Sequence, residues 1–234
     1  AKNSLPYLAR RAEQSYAAPA LARELKEQYQ VLHRIAEDLQ AAVMQVRMVP
    51  LSVCFERAGR LVRDLSRKLD KPAELTQEGE DTEADKSIVD RLGDPLLHLL
   101  RNSMDHGLEP IAARAAAGKP RQGALRLRAS RVEEQLVIEM SDDGQGIDPA
   151  RIRRSAVAKG LMDEAQAQAL SAEQAQALIF APGFSTAAVV SDVSGRGVGM
   201  DVVRRDIEAL GGTVTLRSQV GQGTTVTLAV PLTM

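Results

Sequence analysis

The stretch HLLRNSMDHGLE, His98 to Glu109, decides how this chain is read. On a helix, His98, Asn102, Asp105 and His106 recur at steps of four, three and one and gather on one side, while Leu97, Leu100 and Met104 form an adjacent apolar stripe. Asp94 can cap such a helix and Pro95 suits its first turn, which sets the expected start there. A buried polar stripe costs free energy unless its groups are satisfied, so this one implies a lined cavity or a ligand. Taken singly, each histidine reads as an ordinary core or surface residue. The four together read as chemistry.

Downstream, Ala124 to Ser130 and Gln135 to Ser141 alternate apolar and polar residues and predict an antiparallel pair with one covered face. The second runs into DDGQG, Asp142 to Gly146, followed by Ile147. A carboxylate at a strand end can accept from an exocyclic amine, and glycines without Cβ atoms let a flat ring approach the backbone. Alone, DxGxG is equally a plain glycine turn. Pro149 to Gly160 and Asp163 to Leu178 read as helices, with Leu170 and Leu178 as modest anchors of the second. Arg151, Arg153, Arg154 and Lys159 are either a solvated face or phosphate partners. Phe180 to Ser194 has the composition of a flap, closed by GRGVG, Gly195 to Gly199, at the start of a helix from Met200 to Leu210. The amides and dipole at that helix start suit a triphosphate. Strands from Thr213 to Gln219 and from Thr224 to Leu232, joined by a Gly221-Gln222-Gly223 turn, finish the chain. A carboxylate on flexible backbone, with an amide that can hold a cation, describes an ATP site.

Upstream, Leu21, Leu25, Leu32, Ile35, Leu39, Val43 and Val46 form a coiled-coil-like seam, read as association between chains or as packing within one. Ser4 to Tyr16 suggests a shortened companion helix. Pro50 interrupts the long helix, and Leu51, Cys54, Phe55, Ala58, Leu61, Val62, Leu65 and Leu69 form the next stripe, with Arg57, Arg60, Arg63 and Arg67 off it. Lys71-Pro72 leads to an extended segment around Leu75, and Gly79 to Asp85 reads as an acidic loop in which Asp81 and Asp85 need no chemical role. The expected division is residues 1–47, a partial helical segment, and 48–234, the main domain.

The 234 residues, 44% hydrophobic, are enough for one ordinary domain plus an appendage. With 30 basic against 31 acidic residues and a net charge of -1, no overall field would gather nucleic acid or an anionic membrane. Cys54, the one cysteine, lies on an apolar stripe as a buried thiol would. No apolar run approaches the roughly 20 residues needed to cross a bilayer, so no direct membrane insertion and a cytoplasmic location are expected.

With these residues in view, the chain resembles the CheA-type histidine kinases of bacterial chemotaxis and related chemosensory pathways. The likeness runs from about Leu21 to Met234 through RMVP (Arg47 to Pro50), RLVRDLSRKLDK (Arg60 to Lys71), GEDTEAD (Gly79 to Asp85), DPLLHLLRNSMDHGLE (Asp94 to Glu109), DDGQGID (Asp142 to Asp148), FAPGFSTA (Phe180 to Ala187) and SGRGVGMDVV (Ser194 to Val203). It implies an α+β fold: the α/β sandwich shared with DNA gyrase B, Hsp90 and MutL, the GHKL or Bergerat type, preceded by an α-helical dimerisation segment.

Carried over residue by residue, the resemblance implies ATP and Mg²⁺ as cofactors, with Asn102 as the metal ligand and Asp142 as acceptor of the adenine amine. Gly144, Gly146 and Ile147 would shape the base pocket. His98, Asn102 and Asp105 would form the catalytic set, His98 orienting or deprotonating a nucleophile, with His106 beside them. Phe184, Ser185 and Thr186 would belong to a lid, Gly195, Gly197, Val198, Gly199 and Met200 would follow the phosphates, and Thr224 would support the pocket floor. The implied reaction is transfer of the γ-phosphoryl to a histidine on a separate phosphotransfer domain, to which nothing in this chain is similar. The implied partners are a coupling protein and receptor array, a downstream response regulator, and a second copy in a homodimer of the full-length protein. His33, in VLHRIAED, lacks the H-E/D-x-x-x-P surroundings of an acceptor histidine and reads as a solvated helix residue. The alternative is an ATP-gated conformational ATPase of the gyrase B or MutL type; a binding-only pseudokinase is disfavoured by the presence of both Asn102 and Asp142.

Overall fold

The computed structural model describes residues 19–184 and 199–233. Its contacts fall into two units, Ala1–Met48 and Val49–Met234. In the first, α1 (Pro19–Arg47) is one continuous helix. Of the seam, Leu21, Leu32, Ile35 and Leu39 are 50–64% exposed and Val46 87%, while Leu25 is half-buried. His33 stacks on Tyr29, with ring centroids 5.6 Å apart, and approaches Glu37 at 3.3 Å, both on its own helix.

The short strand β1 (Met48–Pro50) follows, and then α2 (Ser52–Leu69), β2 (Ala73–Glu78), β3 (Glu83–Asp85) and α3 (Lys86–Asn102). After α4 (Ile111–Ala116) come β4 (Gly123–Val132) and β5 (Gln135–Asp142), the helices α5 (Pro149–Ala158), α6 (Glu164–Ala169), α7 (Ala172–Ala177) and α8 (Met200–Glu208), and finally β6 (Thr213–Gln219) and β7 (Gly223–Pro231). Strands β1 and β3 form a small sheet; the main sheet has the order β2-β4-β5-β7-β6. Only the β2–β4 pairing in it is parallel.

Alternation along the strands makes this a two-layer sandwich. On β4, Leu125, Leu127 and Ala129 are buried while Arg126 and Arg128 are exposed, and Leu136, Ile138 and Met140 on β5 and Val226, Leu228 and Val230 on β7 continue the covered face. They join one core with Phe55, Ala58 and Val62 of α2, Ile88, Leu92, Leu96 and Leu99 of α3, and Val203 and Ile207 of α8. Each of the larger of these side chains (Val, Leu, Ile, Met, Phe) is worth about 1.5–3 kcal/mol on burial, and a one-residue slip would turn a whole strand's set to water, so the register is strongly held.

Two element boundaries differ from the sequence reading. Helix α3 begins at Lys86, not Pro95: Asp85 is its cap, accepting from the Ser87 amide at 2.8 Å, and the segment read as an acidic loop ends in β3. Pro95 sits inside the helix, and Asp94 pairs with Arg57 at 3.5 Å instead of capping. Proline removes one rung of the helical ladder, but buried Ile88, Val89 and Leu92 before it and Leu96, Leu99 and Leu100 after it form one stripe whose packing outweighs that loss. The stretch read as one helix from Asp163 to Leu178 is two. Asp163 with Gln166, and Ser171 with Gln174, form successive capping boxes, so Ser171 ends one helix by starting the next. Its buried anchors are Ala167, Ala175, Gln176 and Phe180; Leu170 and Leu178 are half-buried.

Candidate functional site

The site is built where the end of α3 meets the end of β5. Beyond Asn102 the helix widens into a π-helical turn, Ser103–Gly107, closed by the Leu108 amide donating to Ser103 O at 2.7 Å. A helix end leaves carbonyls without partners, and Lys71 supplies them. Its Nζ donates to the carbonyls of Met104 (2.9 Å), Asp105 (2.8 Å) and Leu108 (2.8 Å). Burial lowers the pKa of Lys71, against the pull of Asp105 and Glu109.

The extra residue in the turn alters which side chains share a face. His98, Asn102 and Asp105 are half-buried, whereas His106 is exposed, and it is the His106 carbonyl that is used, accepting from Gln145 Nε2 at 2.7 Å. Asp105 and His106 both lie in the π-helical turn, where α-helical spacing no longer applies.

Asp142, buried at the end of β5, takes its hydrogen bonds from three segments. Ser103 Oγ donates to Oδ2 at 2.6 Å, the Gly144 amide donates to Oδ1 at 3.0 Å, and the Thr224 amide on β7 also donates. Burial raises its pKa and Asp143 adds to that effect, while the three donors oppose them. A Cβ on Gly144 would collide with the Gly107 carbonyl, so this glycine is what lets the Asp142 loop lie against the end of α3. Gly146, at φ +70°, would likewise bring a Cβ onto the Gln219 carbonyl.

Ile147 is held from two sides. Its amide donates to Ser218 Oγ at 2.8 Å, and its carbonyl accepts from Gln176 Nε2 at 2.8 Å. Ser218 Oγ in turn lies 2.9 Å from Thr224 Oγ1, so Thr224 joins this side of the site through both backbone and side chain. Met200, the first residue of α8, receives the Asn102 amide: Nδ2 lies 3.0 Å from its sulfur. Gly199 precedes it in an extended conformation with no side-chain cap. His98 Nε2 is buried with no hydrogen-bond partner among the described residues. Burial, then Arg101, lowers its pKa, with Asp201 on α8 opposing them.

Phe184 is buried, with Lys159 Nζ 2.5 Å from its carbonyl and 5.3 Å from its ring centre. Arg153 donates to the Leu170 carbonyl at 2.7 Å. Two of the four basic residues read as a solvated or phosphate-facing set thus tie their own neighbourhood together. Ser185, Thr186, Gly195, Gly197 and Val198 lie outside the described residues.

The sequence reading did not single out Ser103, Lys71, Ser218 or Gln176. It also missed four interlocked charges, Glu109, Arg114, Lys119 and Asp143. Ser103 carries a usable signal, a hydroxyl next to Asn102 on a helix. Lys71, Ser218, Gln176 and Asp143 become visible only through partners far away in sequence.

With this geometry in place, the class of protein is defined by its matches. Residues 88–234 match the family described as histidine kinase-, DNA gyrase B-, and HSP90-like ATPase, and residues 1–46 match the homodimeric domain of signal transducing histidine kinases. The chain belongs to that ATPase family. Among curated proteins, the sensor histidine kinase CheAY of Helicobacter pylori is 47% identical over 233 residues, which is 100% of this chain and 29% of the relative. The chemotaxis protein CheA of Treponema pallidum is 51% identical over 88% of this chain and 25% of its own length, and that of Klebsiella aerogenes 48% over 92% and 33%. The chain thus spans about a quarter to a third of the length of these relatives.

Proposed function

We propose that this chain is the catalytic core of a CheA-like histidine kinase, in which residues 48–234 bind Mg-ATP and transfer its γ-phosphoryl to a histidine on a separate phosphotransfer domain. Residues 1–47 are then part of a dimerisation segment, and the open stripe on α1 is the surface that a second copy covers. The observation that carries the reading is that Ser103, the residue next to Asn102, donates to the buried Asp142 carboxylate and so ties the helix end that bears the amide to the strand end that bears the acid.

Each residue has a distinct task in this reading. Asp142 accepts the adenine amine, and Gly144, Gly146 and Ile147 supply close-lying backbone to the ring, with Thr224 behind them. Asn102 is the magnesium ligand. Its Nδ2 donor is directed at the Met200 thioether, which supports Oδ1, the hard oxygen magnesium prefers, as the ligand atom. Bound there, magnesium would neutralise phosphate charge. His98, its pKa lowered by burial, is neutral near pH 7 and offers Nε2 to orient or deprotonate the incoming nucleophile. Asp105 completes the catalytic set, Gly199 and Met200 at the start of α8 serve the phosphates with Gly195, Gly197 and Val198, and Ser185 and Thr186 belong with Phe184 to the lid. Phosphoryl transfer depends mainly on positioning and electrostatics, which is what this set supplies.

The relatives' names, sensor histidine kinase and chemotaxis protein, support a place in chemosensory signalling; in this reading a coupling protein and receptor array act upstream and a response regulator downstream. Among the described residues no helix is long and apolar enough to cross a membrane, which is compatible with work in the cytoplasm. The test is incubation with labelled ATP, Mg²⁺ and the cognate phosphotransfer domain. Acid-labile, base-stable label on that domain is the expected result; ATP hydrolysis without protein labelling would favour the conformational ATPase instead.

A further inference from the structure

Behind the Asp142 loop lies a compact set of four charges that the proposed chemistry does not use. Arg114 on α4 is 1% exposed. It donates from Nη1 to Glu109 at 3.1 Å and to Asp143 Oδ1 at 3.0 Å, from Nη2 to Asp143 Oδ2 at 2.6 Å and the Gln122 carbonyl at 3.3 Å, and from Nε to the Pro120 carbonyl at 2.8 Å. Lys119 Nζ donates to Glu109 at 2.7 Å, to the Asp143 carbonyl at 2.8 Å and to the Gly144 carbonyl at 2.7 Å. Two cations face two carboxylates, so the set is balanced. Burial works against the charge on Asp143, yet Arg114, the Ala124 amide and Lys119 outweigh it and hold that carboxyl below its ordinary range.

One peptide unit gives this arrangement a direction. The carbonyl of Asp143 and the amide of Gly144 belong to the same planar group. Its oxygen accepts from Lys119 while its N–H donates to Asp142 Oδ1 at 3.0 Å. Rotation of that plane would break both bonds together, so the Lys119 ammonium, without touching Asp142, holds a donor that faces its Oδ1 while Ser103 holds Oδ2.

We infer that Lys119, anchored by Glu109 and backed by the buried Arg114–Asp143 pair, is a positioning residue for base selection: by pinning the Asp143–Gly144 peptide it aims Asp142 at a 6-amino purine and against a 6-oxo purine. The inference rests on the proposed assignment of Asp142 to the purine. A 6-amino group donates to a carboxylate, whereas a 6-oxo group presents a second acceptor to it. Discrimination of that kind depends on how tightly the acceptor is aimed, because a loose carboxylate can turn away from the wrong base.

The experiment is calorimetric titration of the chain with Mg-ATP and with Mg-ITP, for the unaltered protein, Lys119→Met, Lys119→Arg and Glu109→Gln, each checked by thermal melting. In Lys119→Met, ATP affinity falls about tenfold, the worth of one weakened charge-assisted hydrogen bond, while ITP affinity changes less than about threefold. The ratio between them collapses accordingly, and Lys119→Arg restores most of it. Equal losses for both nucleotides, or an unchanged ratio, would overturn the inference by reducing Lys119 to a structural tie. Should Lys119→Met fail to fold, Glu109→Gln decides by the same ratio. If the unaltered protein binds ATP and ITP alike, base selection by this set is refuted while the kinase reading stands. If it binds neither, the assignment of Asp142 falls and this inference with it.

Discussion

Ser103 donates its hydroxyl proton to Asp142 across 2.6 Å, joining the helix that carries Asn102 to the strand that carries the carboxylate. Replacing it removes a donor from a buried acid and loosens the two halves of the site at once. Ser103→Ala is expected to cost about 1–3 kcal/mol of stability, the usual penalty for a buried group deprived of its partner. It should also weaken ATP binding. Thermal melting and calorimetry on the same samples check both; unchanged ATP affinity would show that this bond only braces the fold.

The neighbouring acids Asp142 and Asp143 give opposite pH signatures. Burial raises the pKa of Asp142 above 3.8, so its contribution to stability is fully present below the unfolded value and is lost as pH rises through the folded one. Asp143 and Glu109, both lowered, contribute stability above their unfolded values that disappears as pH falls through the folded ones. For nucleotide binding the direction follows from Asp142: protonation consumes the acceptor, so ATP affinity falls as pH drops through its raised pKa. Asp142→Asn should bind ATP at least about tenfold more weakly at pH 7 and lose that dependence, the unaltered protein serving to subtract the titration of ATP itself. A variant with the parent's affinity and pH profile would remove Asp142 from base recognition.

His98 and Asn102 should separate chemistry from folding. His98→Gln keeps a side chain of similar reach without a titrating base, and Asn102→Asp replaces the neutral amide with a charge. Both are expected to slow labelling of the phosphotransfer domain by at least about a hundredfold, in the range general acid–base contributions take, with a melting temperature close to the parent's. Parent-like labelling rates in either variant would defeat its role.

Lys71 closes the end of the helix that carries Asn102. Lys71→Met leaves the carbonyls of Met104, Asp105 and Leu108 without the ammonium that joins them and is expected to cost about 1–3 kcal/mol. Amide hydrogen exchange through Ser103–Gly107 should accelerate more than exchange in β5. Uniform acceleration across both would mean that Lys71 supports the whole domain and not the turn in particular.

Much of the fold was legible because it is local. Alternation on Ala124 to Ser130 and Gln135 to Ser141 became β4 and β5, and the stripe from Leu51 to Leu69 became α2. The start of α3 was misread because Asp94-Pro95 carries a strong helix-opening signal that Asp85 and the buried stripe override. The split between α6 and α7 had a local signal in Ser171 and Gln174, overlooked within an Ala- and Gln-rich run.

By itself, the sequence determined the ingredients: an amide at a helix end and a carboxylate at a strand end, the glycines that let backbones approach, and the periodicities that make a covered sheet. Those properties reside in single side chains or in neighbours a few residues apart. Tertiary structure alone decided how the ingredients are aimed. It placed Ser103 on Asp142 across 39 positions, Lys71 on the turn beyond Asn102 across 33 and more, and Lys119 on the Asp143 carbonyl across 24. A hydrogen bond between distant segments depends on the register and packing of everything between them, and no local pattern records that.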